Sequence, residues 1–186
     1  MKRLYRYVLL ILTSIICLGN LFSFSCQQET KEIGMTDNQD QIIKVTTVLN
    51  SPIDTVFSYF SDNTLLSKWL TLKADVEMKV GGKYELFWTP EDPDPTNNST
   101  YGCKVLAFER PYYLTVEWRG NADQKKFMNN VRPLTTVTLL FTSLSATKTK
   151  ITLLHTGWHH GNEWEAARQY FTKAWSGAFK RLESIL

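Results

Sequence analysis

The chain has 186 residues, with 21 Lys and Arg against 18 Asp and Glu, for a net charge of +3. Lys2, Arg3 and Arg6 fall in the first 25 residues, which hold no acidic residue, so the excess belongs to the N-terminus and the remainder is balanced. That balance leaves no basic patch for nucleic acid, whose phosphates demand clustered Lys and Arg.

Residues 1–25 read as a secretory signal. A basic start precedes an apolar run over 7–18 and a small-residue end. Ser23-Phe24-Ser25-Cys26 resembles a bacterial lipobox, with a small residue before the cysteine, although Ser23 stands where Leu is usual and Phe24 is bulky. Cys26 is the candidate lipidation site, and the polar residues 26–40 suit a tether. An uncleaved N-terminal anchor is the rival reading, but the apolar run is short of the roughly 20 residues a span needs. Either reading puts the folded part, 41–186, outside the cytoplasm at a membrane of the bacterial cell envelope. Of the three cysteines, Cys103 is alone in that part, so it has no disulfide framework and reads as a small apolar residue.

The elements follow in order. Residues 42–49 are rich in β-branched side chains and predict a strand. Ser51-Pro52 predicts a helix capped by Ser51, with Val56, Phe57 and Phe60 on its apolar side. A second short helix over 62–68 ends at Trp69. Gly81-Gly82 separates two strand-like runs within 72–88, where Tyr84, Leu86 and Trp88 share one face and Glu85 and Phe87 the other. Residues 91–100 hold two prolines and predict a loop, which ends in a glycosylation-type Asn98-Ser99-Thr100.

Strands over 101–108 and 112–118 come next, then a polar loop over 119–132. A last hairpin is predicted over 134–141 and 149–154, with its turn at 143–148. The final segment is helical, with Asn162 as cap and Glu165 as its capping-box partner. Trp164, Ala167, Phe171, Ala174, Ala178 and Leu182 recur at helical spacing, and Trp175, Phe179 and Leu186 widen that face. Hairpin-like connections predict an antiparallel sheet of about six strands, and the terminal helix must bury its stripe against it.

The ordered motifs carry a family resemblance. They are Ser51-Pro52 through Val56-Phe57, Lys68-Trp69, Val80-Gly81-Gly82-Lys83-Tyr84, Tyr101-Gly102, Arg110-Pro111, Leu114 through Trp118, Thr135 through Thr138, His155-Thr156-Gly157-Trp158, and Trp175, Phe179 and Leu182. From residue 43 on, the chain resembles an activator-of-Hsp-90-ATPase homologue (Aha-type) domain of the START-like SRPBCC superfamily. The departures are the long 91–100 loop and Trp158-His159-His160. The resemblance implies an α+β helix-grip fold, in which a curved antiparallel sheet grips the long C-terminal helix.

The resemblance also implies a cavity for a small apolar or amphipathic ligand. The residues on elements bordering that space are Trp69, Tyr84, Trp88, Tyr101, Trp118, His155, Trp175 and Phe179, with His155, Tyr101 and Glu117 as orienting polar groups. The chain is 13% aromatic and has six tryptophans, which suits an aromatic-lined site. Packing is the alternative role for each aromatic taken singly.

His155, His159 and His160 offer at most three metal ligands without a supporting cluster, so no metal site is expected. No cofactor is implied. His155 is the candidate base should the domain resemble the superfamily's cyclases or hydrolases instead; a protein-interaction module is the third reading. An exported domain would not meet a cytosolic chaperone.

Overall fold

The structure, a computed structural model, describes residues 41–186. The signal over 1–25 and the Cys26 tether lie outside the described residues. Strand β1 spans Ile43–Leu49 and is followed by two short helices, α1 (Ile53–Ser58) and α2 (Asn63–Trp69). Strands β2 (Lys73–Val76) and β3 (Tyr84–Phe87) form a small antiparallel sheet of their own. Then come β4 (Val105–Glu109), β5 (Tyr113–Trp118), the one-turn helix α3 (Lys125–Met128), β6 (Thr135–Ser145), β7 (Lys148–Thr156) and the 22-residue α4 (Asn162–Glu183). The main sheet has the order β1-β7-β6-β5-β4, antiparallel throughout.

Alternation sorts the main sheet into two faces. Val116, Val137, His155 and Ile43 form one row across paired strands, and Leu114, Leu139, Leu153 and Val45 form the next. All but Val45 of these eight are buried. α4 lays Trp164, Ala167, Phe171, Trp175, Ala178, Phe179 and Leu182 into the core, as its three-and-four spacing dictates. At one end of the core, Phe60 packs against Trp69, Phe141 and Phe179 with ring centroids 5.0, 5.4 and 6.4 Å apart. The helix-grip architecture implied by the sequence is the one observed.

Several local expectations are corrected. The sequence predicts one sheet of about six strands; among the described residues seven strands divide five and two. β3 meets the main sheet only at its start, where Tyr84 N–H donates to Cys103 O and Lys83 bridges Lys104. The segment predicted as strand from 101 turns until Val105, and the polar 119–132 loop contains α3. The last hairpin runs further than predicted, because a bulge between Ser143 and Ser145 keeps it paired into its turn.

Neither predicted helix cap holds. Pro52 precedes α1 with no side-chain cap, and Ser51 instead lends its carbonyl to the buried Thr149 hydroxyl at 2.8 Å. Gly161, with φ +119°, is the N-cap of α4, so Asn162 is already helical. That φ is open to glycine and strained for Asn, which overrides the side-chain preference. Gly157 is also required by backbone geometry: its φ is +85°, and a Cβ there would sit 3.2 Å from Thr135 Cα.

The 91–100 loop is fastened by its end. Thr100, fully buried, receives a hydrogen bond from Leu86 N–H at 2.6 Å and donates to Leu86 O at 3.3 Å, so one hydroxyl stands in for a neighbouring strand. Asn98 is equally committed: its Oδ1 accepts from Trp88 N–H and Thr89 N–H, and its amide donates to Thr89 O and Pro95 O. At 2% exposure the Asn98 side chain cannot take a glycan in the folded domain. Thr100→Val keeps the shape but leaves both Leu86 backbone groups unpaired. It should cost about 2 kcal/mol, read as a lowered urea midpoint at unchanged slope; an unshifted midpoint would remove Thr100 as the fastening.

Candidate functional site

A cavity of about 380 Å³ lies between α4 and the loops at the ends of β3 and β5. Its aromatic wall is Trp88, Trp118, Phe171 and Trp175, with Leu70, Ala174 and Ala178 completing the apolar surface. The polar rim holds Thr89, Asp92 and Asn97 from the loop after β3, Asn121 and Asp123 from the loop after β5, and Tyr170 and Arg181 from α4. Tyr170 and Ala174 are both exposed, so the cavity opens to solvent along the outer side of α4. Ala174 and Ala178 explain why there is space here: on a face otherwise carrying Phe and Trp, they place methyls where larger side chains would close the gap.

The wall is positioned by a hydrogen-bonded chain that runs through the core. Thr135 Oγ1 donates to Trp118 O at 2.9 Å. With its proton so used, it must accept from His155 Nε2–H, 3.0 Å away. His155 Nδ1 is then an acceptor, and Trp175 Nε1–H donates to it at 3.3 Å. Trp158 Nε1–H donates to His155 O at 2.9 Å. The imidazole is ringed by Trp158, Phe171, Trp118 and Trp175 at centroid distances of 4.5, 5.4, 6.2 and 6.4 Å. Burial in this shell pulls its pKa down to about 3, so it is neutral at physiological pH.

A second device ties the two rim loops together. Lys125 Nζ donates to Asp94 Oδ2 at 2.5 Å, Thr96 Oγ1 at 3.2 Å and Asn97 Oδ1 at 2.7 Å. The Asp94 carboxyl is held well down, to about 2, by its hydrogen bonds with Lys125 and Thr96. Asn97 Nδ2 in turn donates to Asp92 Oδ2, and Asn121 Nδ2 reaches the Tyr170 hydroxyl at 3.2 Å.

Of the residues that the sequence places around the site, Trp88, Trp118 and Trp175 line the cavity. Trp69, Tyr84, Tyr101, His155 and Phe179 do not. Trp69 and Phe179 belong to the packed end around Phe60. Tyr84 is buried there too, its hydroxyl donating to Phe60 O at 2.9 Å, and burial pushes its ionisation far up. Tyr101 packs against Phe87, outside the core. His155 stands behind Trp175 with both ring nitrogens committed. Glu117 alternates with buried Val116 and Trp118, and its Oε2 accepts from Lys104 N–H instead.

The rim residues Asp92, Asn97, Asn121, Asp123, Tyr170 and Arg181 escape sequence reasoning because they come from loops and from the edge of the helix stripe. Arg181 had a signal: it follows Ala174 by seven and Ala178 by three, on the same helical face.

The other histidines lie apart from His155. His159 rests against Trp164, and His160 Nδ1 is 2.7 Å from Gln41 Nε2. Among the described residues no group of three or more His, Cys, Asp or Glu could hold a metal ion. Cys103 is buried, and burial raises its thiol pKa far above the ordinary range, which keeps it in the thiol form.

One buried donor is left over in the wall. Trp69, Trp88, Trp158 and Trp175 each donate their Nε1–H, to Tyr59 O, Leu70 O, His155 O and His155 Nδ1. Trp118 Nε1–H is buried and has no hydrogen-bond partner among the described residues. Such a group costs about 1–3 kcal/mol.

Residues 50–186 match the family described as Activator of Hsp90 ATPase homolog 1-like protein, and the chain belongs to that family. Solved structures share the fold at low identity. A protein of Mesorhizobium loti is 21% identical over 77% of this chain and 94% of its own, with a TM-score of 0.59. The Aha1 dimer from Colwellia psychrerythraea is 14% identical over 78% and 95%, at 0.60. An HSP90 activator from Plasmodium falciparum is 24% identical over 66% and 77%, at 0.50. No curated protein matches the chain at a significant level.

The buried imidazole makes a pH prediction. Unfolded, His155 takes a proton near its ordinary 6.5; folded, it resists until about 3. Its stabilising contribution is therefore complete above pH 6.5 and is lost as pH falls towards 3, by at most about 1.4 kcal/mol per pH unit. Urea unfolding between pH 7.5 and 4.5 should show this fall in the wild type and a flatter profile in His155→Gln. Parallel profiles would contradict a buried neutral His155.

Proposed function

We propose that this domain binds a small hydrophobic or amphipathic ligand in the cavity between α4 and the tryptophan wall. The observation that carries the reading is the cavity itself: about 380 Å³, walled by Trp88, Trp118 and Trp175, and open along α4. That volume and its mix of an aromatic wall with a few rim polar groups are those of a small-molecule site. The binding free energy would come from burying apolar ligand surface, at about 25 cal/mol per Å², with the rim setting orientation. The family's helix-grip fold, known for enclosing ligands, supports the same reading.

The enzymatic alternative loses its first candidate in this geometry, since His155 has both nitrogens engaged and Trp175 in front of it. We further propose that the domain works outside the cytoplasm, held to a membrane through lipid on Cys26. What supports this is the basic, apolar, small-residue order of residues 1–25 and the polar tether after them. No helix among the described residues is long and apolar enough to cross a membrane.

Two experiments test these readings. Ala174→Phe should fill the cavity from its exposed side with little change in melting temperature. Native mass spectrometry of wild-type protein from its host envelope should show an extra mass that extracts into organic solvent, and the variant should lose it. A clean apo mass for the wild type, with no stabilisation by a panel of lipids and aromatics, would overturn ligand binding. For the anchor, Cys26→Ser should move the protein from the detergent phase to the aqueous phase on phase separation. Retention in the detergent phase would favour the uncleaved anchor.

A further inference from the structure

The cavity has a polarity along its length. Its α4 residues run from Tyr170 to Arg181, eleven positions, or roughly 16 Å of helix. At the Tyr170 end, Asn121 bonds Tyr170, and the Lys125 clasp brings in Asn97 and Asp92, so this end is acidic and amide-rich. At the other end stands Arg181, among the described residues the only cationic side chain lining the cavity. Its Nε–H donates to Trp69 O at 3.3 Å, which fixes the guanidinium at the end of α2, beside Leu70. Its terminal nitrogens have no hydrogen bond or ion pair among the described residues, so the end-on Nη1/Nη2 edge remains for a partner. That edge matches a carboxylate with two parallel hydrogen bonds. Arg181 is exposed, and the bond from Nε holds its guanidinium at the cavity mouth.

Resting on the ligand-binding reading above, we propose that the ligand is an elongated amphipathic carboxylate. Its carboxylate pairs with Arg181, and its apolar body lies along Ala178, Ala174 and the tryptophan wall. Asp92 and Asp123 repel the anion from the opposite end, so the ligand enters in one orientation.

The test is calorimetric titration of the full-length chain with dodecanoate, 1-dodecanol and dodecyltrimethylammonium, the two ions below their micellar concentrations and the alcohol below its solubility limit. Wild type, Arg181→Met, Arg181→Lys and Ala174→Phe are compared, with thermal melts confirming that each variant folds. Dodecanoate should bind at least ~10-fold tighter than the alcohol or the cation. Arg181→Met should erase that preference while leaving alcohol binding unchanged, and Arg181→Lys should keep part of it. If all three probes bind alike and Arg181→Met changes nothing, the carboxylate inference fails and the cavity reading stands. If no probe binds, or Ala174→Phe binds as well as wild type, the cavity reading fails and takes this inference with it.

Discussion

The imidazole of His155 is the joint on which this domain is assembled. It sits at the centre of the inward face of the sheet, between Val137 and Ile43 in the paired strands. Through Thr135 it reaches the Trp118 carbonyl on β5, and through Trp175 it holds α4. Each bond in the chain has one permissible direction, so a single protonation state satisfies all of them. A buried polar group is costly when unmatched and specifying when fully matched. Here it fixes the height and rotation of Trp175 against Trp118, whose rings meet at 4.8 Å and together make the cavity's back wall. A leucine at 155 could fill the volume but could not choose between rotamers of Trp175.

Around this rigid back wall the front of the cavity is built from loops, and each is clamped by side chains rather than by sheet pairing. Thr100 and Asn98 fasten the loop after β3 to the strand it leaves. Lys125 clasps that loop to α3 with three hydrogen bonds, and the Lys125 and Asp94 side chains remain partly solvated. A partly exposed ion pair contributes little stability by itself. Its value here is geometric, because it places Asp92 and Asn97 on the same rim as Asn121. Hard core behind and clasped loops in front is the common arrangement for a binding site, where function rides on loops that a scaffold positions.

Much of this was legible in the sequence and the remainder was hidden for identifiable reasons. The stripe from Trp164 to Leu182 is a helix because its spacing admits little else. The alternation of Tyr84, Leu86 and Trp88 gave their common side, and burial then showed that side to be inward. The same parity in Ile151, Leu153 and His155 marks His155 as core. What periodicity cannot reveal is where a chain that leaves a strand returns. The 91–100 segment reads as a long loop, yet its last residues are among the most buried polar groups of the domain. The cavity rim depends on that return, so its acidic end could not be read. Cap preferences failed at Gly161 because backbone φ decided there, and aromatic residues divided between packing and wall in a way that composition does not separate.

The central claim is that Trp88, Trp118 and Trp175 form a wall for a ligand while Trp69 and Trp158 are structural. The most direct measurement is the set of indole N–H resonances of ¹⁵N-labelled protein during titration with the amphipathic dye 1-anilinonaphthalene-8-sulfonate. The account predicts that the Trp88, Trp118 and Trp175 resonances move and that Trp69 and Trp158 stay in place. Saturating dye that leaves the Trp118 resonance unmoved would contradict it.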